Sequence, residues 1–374
     1  MKQKNSFSGQ IGFVFAAAGS AVGVGNLWRF PYLAAKDGGG LFLLIYLVLV
    51  LTVGFVLLTT DIAIGRKTGK SAIYAYESMK KKWKFLGVIT FLVPVLIMTY
   101  YAVIGGWILR YIVIYLTSSG KQAVADDCFT AFISSPSSVW YGLIFMLLTA
   151  LIVYNGVEEG IERVSKFIMP VLLIMVIGIA IFSLTLKTTL DDGTVRTGLQ
   201  GLKVYMKPDL TGITVGRFLQ ITLDAMSQLF FSLSVSMGIM ITYGSYVKKD
   251  VDLNKAVSQI EIMDTGVAFL AGVMIIPAVF VFSGLDGMSA GPGLMFVSLP
   301  KVFYSMGTVG RVIGILFFVL AGFAALTSCI SVLESITANC MELFHTERKK
   351  TTRVLSVIYL IATAVIALGY SVFY

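Results

Sequence analysis

Nine apolar stretches, separated by polar or glycine-rich segments, dominate the chain. A helix that crosses the hydrocarbon core of a bilayer needs about 20 mostly apolar residues, and the nine stretches are close to this length or longer. They are residues 11–36, 41–66, 85–117, 138–155, 161–186, 215–245, 254–284, 309–344 and 352–373. The pattern predicts an all-α polytopic membrane protein, with residues 1–374 forming one transmembrane domain of about nine spans.

Two of these spans are interrupted by small and polar residues near their middle. The first contains "GSAVGVGNLWRFPY" from Gly19 to Tyr32, and the sixth contains "SQLFFSLSVSMGIMITYGSY" from Ser227 to Tyr246. Irregular backbone survives at membrane depth only where it faces protein or a polar cavity. Interrupted spans at matching positions of two halves are a pointer to a transporter binding site. For the first span alone, a close-packing glycine face with a proline kink is an equally simple explanation.

The matching positions divide the chain into two repeats of five helices. The first repeat covers about 10–186 and the second, incomplete, about 215–374. Three longer segments lie between spans on the predicted outer side, at 118–137, 187–214 and 285–308. The last is glycine-rich and then apolar, which favours a re-entrant or lid-like hairpin.

Composition and charge support a membrane location. Hydrophobic residues make up 57% of the chain and charged residues 13%, which no ordinary soluble domain matches. Lysine and arginine accumulate on cytoplasmic loops, and eighteen of the 29 basic residues lie on one side, including Lys2, Lys4 and the run 80–84. We expect a multi-pass protein of the cell membrane with a cytoplasmic N-terminus, surrounded by membrane lipid. This asymmetry also explains the net charge of +9, so no nucleic-acid partner is expected.

The sequence offers no chemistry for an enzyme. It has three cysteines and a single histidine, without metal-ligand spacing, and no nucleotide-binding or hydrolase motif. No soluble segment is long enough for a nucleotide domain, so transport would draw on an ion gradient. The first span is too long for a cleavable signal peptide and is interrupted by Arg29 and Pro31.

Four motifs in order along the chain resemble the neurotransmitter:sodium symporters, and specifically their bacterial amino-acid transporters. Besides the stretch in span one, they are "YYAVIGGW" at Tyr100–Trp107, "FFSLSVSMG" at Phe230–Gly238 and "AALTSCISVLE" at Ala324–Glu334. The resemblance implies the inverted five-helix repeat transporter fold, with helices one and six unwound at mid-membrane. It also implies sodium-coupled import of a hydrophobic, bulky aliphatic or aromatic L-amino acid by alternating access.

The resemblance further implies two sodium sites. Oxygen ligands suit this hard cation. The first site would use the substrate carboxylate, the Ala21 carbonyl and side chains of Asn26, Ser232 and Asp264. The second would use carbonyls and hydroxyls of Gly19, Val22, Ala324, Thr327 and Ser328. Residues 324, 327 and 328 share one helical face, which supports the second site independently, although back-bonding of Thr327 and Ser328 to their own helix would explain these hydroxyls equally well.

The implied substrate pocket combines backbone and side-chain contacts. Its residues are Ser20, Ala21, Val24, Gly25, Ile97, Tyr101, Phe231, Ser232, Ser234, Met237, Ser328 and Val332. Mostly apolar walls and a flexible methionine favour a large hydrophobic side chain. Gly23 stands where the family's monoamine carriers have aspartate, which favours substrates that carry their own carboxylate.

Two gates can also be assigned by resemblance. Arg29 with Phe231 resembles the outer gate, and an arginine within a span is functional by default. Lys4, Tyr246 and Glu342 resemble the inner latch, with Phe7 at a position usually held by tryptophan. For Asp61, at the end of span two, we expect a buried ion pair with Arg66.

The chain departs from the family pattern in helix seven and in its length. Asp264 stands at the family's sodium-binding asparagine and Ala268 at the serine of chloride-dependent members. A fixed carboxylate can replace the anion, so no chloride requirement is expected, and Tyr46, Gln228 and Ser232 would be vestigial chloride ligands. The family has eleven or twelve helices, so the chain is expected to be either a fragment or a native nine-helix form.

Two other functions remain open from the sequence. A truncated or non-transporting paralogue would bind amino acid without sodium-driven uptake. A channel is disfavoured because no ring of charged or carbonyl filter residues is visible. The sequence does not determine the oligomeric state.

Overall fold

The computed structural model describes residues 6–118, 120–190 and 192–370, and it is predominantly helical, which confirms the predicted fold class. Helices α1 to α9 are Gln10–Ala21, Val24–Lys36, Gly40–Leu49, Phe55–Thr68, Ala72–Met79, Lys84–Ser118, Cys128–Ile133, Ser137–Tyr154 and Arg163–Thr185. Helices α10 to α16 are Gly198–Met206, Val215–Ser232, Ile239–Gly244, Leu253–Ser283, Leu299–Ser305, Thr308–Phe344 and Arg348–Gly369. Strands β1 (Lys187–Thr189) and β2 (Val195–Thr197) form an antiparallel hairpin in which Lys187 pairs with Thr197.

Short π-helical and 3₁₀ segments join several of these helices. Val50–Gly54 is a π-helical turn that makes α3 and α4 one continuous helix, and Val157–Glu162 leads into α9 in the same way. The other segments are Lys81–Trp83, Lys121–Val124, Leu285–Gly287 and Leu294–Ser298.

Within the described residues, seven helices are long and apolar enough to cross a membrane, or eight if the bent pair α1 and α2 is one span. They correspond in order to the predicted spans, except the sixth. There α11 and α12 are separated by residues 233–238 and α12 has only six residues. The count of nine spans therefore stays a prediction.

The first span breaks after Ala21. Val22 and Gly23 adopt extended backbone, and α1 and α2 meet at an angle of 53°. The glycine has no side chain to oppose this bend, and a Cβ there would lie 3.0 Å from the Ser328 hydroxyl. The break consequently leaves the N-terminus of α2 and the last carbonyls of α1 without helical partners.

The sixth span breaks over residues 233–238 with unusual backbone angles. Ser234 and Ser236 have φ of 52° and 60°, and Gly238 has φ of 73°. Left-handed backbone is costly for residues other than glycine and persists only where the surroundings hold it. The Asp61 carboxylate accepts the Ser236 N–H at 2.9 Å, which provides one such restraint.

Helices α13 and α15 form the centre of the bundle. About two thirds or more of their apolar windows are buried (67% and 72%), compared with 28% for α16. Both pack on α1, and α15 also packs on α6. The broken first span is thus enclosed by long, rigid helices.

The segment predicted as a lid-like hairpin, 285–308, is short helical turns that include α14. The ring of its buried Phe296 lies 6.5 Å from Trp28 and 6.0 Å from Trp107, between centroids. This segment therefore packs against α2, the second half of the first span, and against α6.

Candidate functional site

The two helix breaks meet at a small central cavity. Its volume is about 30 Å³, which is room for only one or two water molecules. It is lined by Ser20, Ala21, Gly23, Asn26, Ile97, Tyr101, Phe231, Ser232, Ser234, Met237, Ile239, Ser328 and Val332. A larger cavity of about 450 Å³ lies elsewhere, between Tyr115, Lys121 and Arg311, and contains none of the predicted site residues.

In the structure, ten of the twelve predicted pocket residues line this cavity. Val24 and Gly25 do not line it. A Cβ on Gly25 would lie 2.6 Å from the Phe231 ring, so this glycine lies directly against a wall residue. Gly23, Asn26 and Ile239 line the cavity although the pocket prediction did not include them.

Three polar side chains form a buried cluster next to the cavity. The Asn26 amide nitrogen donates to Asp264 Oδ1 at 2.8 Å. The Ser232 hydroxyl lies 2.9 Å from each carboxylate oxygen of Asp264 and 3.1 Å from the Asn26 amide oxygen. All three are at most 2% exposed. The cluster therefore brings together four side-chain oxygen atoms and one amide nitrogen where α2, α11 and α13 meet.

A second polar cluster joins α1 to α15. The Ser20 carbonyl accepts hydrogen bonds from the hydroxyls of Ser328 at 3.2 Å and Ser234 at 3.3 Å. Thr327 instead bonds back to the Phe323 and Ala324 carbonyls of its own helix. Back-bonding therefore describes Thr327 but not Ser328. Gly19 lies against Thr327, since its Cβ would be 3.2 Å from the threonine Cβ.

Above the cavity, Arg29 bridges α2 to α11. Its guanidinium donates to the Gln228 amide oxygen at 3.1 Å and to the Ser227 hydroxyl at 2.9 Å. Phe231 lies one turn further along α11 and lines the cavity. Arg29 is therefore bonded to residues one turn before Phe231 on α11, and the outer gate itself stays a prediction.

On the opposite side, the Tyr246 hydroxyl donates to Glu334 at 2.7 Å. Glu334 also receives two hydrogen bonds from Arg348, each 2.6 Å long, and is fully buried. Tyr246 therefore bonds to Glu334 and not to Glu342, the carboxylate named for the inner latch by resemblance. Glu342 lies about two turns further along α15 and accepts the N–H and hydroxyl of Ser71. The third predicted latch residue, Lys4, lies outside the described residues.

Phe7 forms an aromatic cluster on the same side of the cavity as Tyr246. Its ring lies 5.6 Å from both Phe13 and Tyr243 and 6.2 Å from Tyr246, and its N–H donates to the Tyr246 carbonyl. The residue is 1% exposed. Phe7, three residues before the start of α1, thus packs against α12 and Tyr246 in the second half of the sixth span.

The expected ion pair between Asp61 and Arg66 is wrong. Asp61 accepts the Ser236 N–H, and Arg66 donates to the Val251 carbonyl at 2.6 Å. An aspartate oxygen at the open end of a helix can satisfy backbone N–H groups, and Asp61 does so where the sixth span is broken.

The sequence analysis did not identify Glu334 as the partner of Tyr246. The available signal was a carboxylate inside the long apolar run of α15, because an ionisable residue within a span usually has a function and a partner. Its partner Arg348 could not be identified because it begins the next helix, and pairing depends on how α15 and α16 are joined.

Comparison with known proteins decides the family. The model of the sodium:neurotransmitter symporter family matches residues 4–141 and 127–372. The chain belongs to this family. An uncharacterized sodium-dependent transporter of Bacillus subtilis is 38% identical over 92% of this chain and 74% of its own length. Another, from Methanocaldococcus jannaschii, is 32% identical over all of this chain and 77% of its own length.

A solved structure is similar to this symporter-family chain over almost its whole length. The crystal structure of MhsT in complex with L-phenylalanine matches with a TM-score of 0.84 and 37% identity, covering 99% of this chain and 82% of that one. The homologues are transporters, so this protein is not an enzyme, and the predicted transporter fold is confirmed.

Proposed function

We propose that this protein is a sodium-coupled symporter that imports a hydrophobic L-amino acid by alternating access. The observation that carries the proposal is the buried cluster of Asn26, Ser232 and Asp264 beside the central cavity. Membership of the sodium:neurotransmitter symporter family and the likeness to a relative crystallised with L-phenylalanine support it.

The donor chemistry of the first cluster fits a sodium ion. Sodium is a hard cation that prefers oxygen ligands, and the cluster offers carboxylate, amide and hydroxyl oxygens in a site closed to solvent. A buried carboxylate without a cationic partner is costly, and no basic side chain pairs with Asp264 among the described residues. We assign this first site to Ala21, Asn26, Ser232 and Asp264, completed by the substrate carboxylate.

The second sodium ion is assigned to the junction of α1 and α15. The carbonyls of Gly19, Val22 and Ala324 and the hydroxyls of Thr327 and Ser328 are its ligands. In support, the Ser328 hydroxyl already crosses to α1, and Gly19 packs on Thr327. Binding of a cation would require Thr327 to exchange its bonds within α15 for the ion.

The amino acid would lie between the two breaks. The N–H groups at the start of α2 would attract its carboxylate, and the carbonyls at the end of α1 would accept hydrogen bonds from its amine. Ile97, Met237 and Val332 form an apolar wall. Because the cavity holds about 30 Å³, side chains such as Met237 and Phe231 must move to admit a large side chain.

Chloride is not required in this scheme. A site that holds sodium before the substrate carboxylate arrives needs a balancing negative charge, and Asp264 supplies it. The Tyr46 hydroxyl and the Gln228 amide nitrogen, two of the residues that match chloride ligands in relatives, are buried without hydrogen-bond partners within the described chain. In our proposal they hold no anion that transport depends on.

Binding to purified protein tests the proposal most directly. Equilibrium binding of radiolabelled L-phenylalanine and L-leucine should be at least about tenfold tighter in sodium than in choline, a coupling of about 1.4 kcal/mol. Equal affinity in both salts would rule out a symporter. Sodium-driven uptake into proteoliposomes then separates a transporter from a paralogue that only binds.

A further inference from the structure

The turn between α5 and α6 forms one continuous exposed surface. Residues 78–86, here called the inner-loop surface, are all exposed. They combine four lysines, at 80, 81, 82 and 84, with Met79, Trp83, Phe85 and Leu86. Phe85 is 57% exposed and Trp83 is 39% exposed, so exposed apolar side chains lie next to exposed lysines in this short segment.

Most of the positive charge on this surface is not neutralised by the protein. Lys84 pairs with Glu77 at 3.2 Å. Across residues 6–118, 120–190 and 192–370, no carboxylate lies within 4 Å of the ammonium groups of Lys80, Lys81 and Lys82. Lys80 lies 5.7 Å above the Trp83 ring. The surface therefore presents concentrated positive charge beside aromatic rings.

The surface is presented by a fixed scaffold. At the start of α5, the Ser71 hydroxyl donates to Glu342 at 2.6 Å and the Ile73 N–H donates to Asn339 at 3.1 Å. Gly87 packs directly on α5, since its Cβ would lie 2.6 Å from the Ile73 Cα. The inner-loop surface is thus anchored to the end of α15.

The position of this surface favours a lipid as its ligand. It lies at the start of α6, a 35-residue apolar helix, where the side chains enter the interfacial region of a bilayer. Tryptophan is enriched at this depth, and clusters of lysine at the cytoplasmic interface attract acidic lipid headgroups. A soluble anion would not explain exposed Phe85 and Leu86 next to the lysines. We propose that the inner-loop surface binds the headgroups of anionic phospholipids in the adjoining leaflet.

Quenching of Trp83 by brominated lipids tests this proposal. The protein is reconstituted into vesicles of phosphatidylcholine with a minor share of phosphatidylglycerol, and either lipid carries the bromine at equal mole fraction. Subtracting the fluorescence of Trp83→Phe from that of the wild type gives the signal of Trp83 alone. We expect brominated phosphatidylglycerol to quench Trp83 at least about threefold more strongly than brominated phosphatidylcholine. The preference should shrink in about 1 M salt, where charges are screened within about 3 Å.

A matched pair of variants assigns the effect to these lysines. Lys81→Gln/Lys82→Gln should reduce the quenching ratio to about one. Lys349→Gln/Lys350→Gln removes the same charge from the exposed first turn of α16 and should leave the ratio unchanged. Equal quenching of wild-type Trp83 by the two lipids would overturn the proposal, as would a preference that survives the first variant. Sodium-dependent amino-acid binding is a separate measurement, so the two proposals fail independently.

Discussion

The Ser232 hydroxyl lies 2.9 Å from both carboxylate oxygens of Asp264, joining the last turn of α11 to the middle of α13. The same carboxylate receives the Asn26 amide from α2. Both broken spans are thereby tied to one carboxylate in a central, rigid helix. A cation bound at this carboxylate would hold the two breaks together.

Exchange of chloride for gluconate should leave sodium-dependent amino-acid binding unchanged. In the proposed scheme, Asp264 carries the negative charge that an anion would otherwise supply. Asp264→Asn combined with Ala268→Ser should make binding depend on chloride, with at least about a tenfold loss of affinity in gluconate. Ala268→Ser alone, which keeps the carboxylate, is the matched control. Wild-type protein that loses binding in gluconate would contradict the assignment.

Gly25→Leu should abolish amino-acid binding without unfolding the protein. Even a Cβ at Gly25 would lie 2.6 Å from the Phe231 ring, so leucine would push this wall into the small cavity. Gly178→Leu is the control, because nothing lies within 4 Å of a Cβ at that position. Radioligand binding and a monodisperse elution profile measure the outcome. Retained binding by Gly25→Leu would mean that the site lies elsewhere.

Met237→Phe should narrow the pocket and change the order of substrates. We expect tryptophan and tyrosine to lose about 1–3 kcal/mol relative to leucine, the usual cost of overpacking. Competition against radiolabelled leucine measures this difference. Met175→Phe, in the partly buried face of α9, controls for a general effect of the larger side chain. If the order is unchanged, Val332 becomes the next candidate for a size-determining wall.

Thr327→Val should weaken sodium binding at the second site, whereas Thr327→Ser should not. The hydroxyl at present bonds to carbonyls of its own helix, and a purely structural role would tolerate valine with little effect on sodium dependence. We expect the sodium concentration for half-maximal binding to rise about tenfold or more for valine. An unchanged sodium dependence would remove Thr327 from the site and leave Ser328 as the nearby hydroxyl ligand.

Glu334→Gln should strongly destabilise the protein. The neutral side chain leaves the Arg348 guanidinium, 10% exposed, without its counter-charge, and breaking a buried pair typically costs about 3–5 kcal/mol. Thermal unfolding can be followed with a thiol-reactive dye, because Cys329 is fully buried. Glu158→Gln, at an exposed position, should leave the transition unchanged. A Glu334→Gln transition equal to wild type would contradict a structural role for the pair.

The helical spans, the two breaks and most of the cavity residues follow from the sequence alone. Length and hydropathy identify the spans, because the bilayer imposes a minimum apolar length. Glycines and serines within those spans mark the breaks. Backbone that leaves the helix at membrane depth needs polar partners for its N–H and C=O groups, and these small or polar residues allow such partners to approach. Asp264 could be proposed as a sodium ligand because it lies in the seventh predicted span, here α13, at the position of the family's sodium-binding asparagine.

The partners of Asp61, Tyr246 and Glu342 were decided only by the tertiary structure. Periodicity shows which residues share a helix face, but not how far one helix is shifted along another. Glu334 and Glu342 lie about two turns apart on α15. The position of α12 along the axis of α15 decides that Tyr246, which follows α12, bonds to Glu334 and not to Glu342. Likewise, Asp61 bonds the Ser236 N–H rather than the nearby Arg66, because the break in the sixth span leaves that N–H without a helical acceptor.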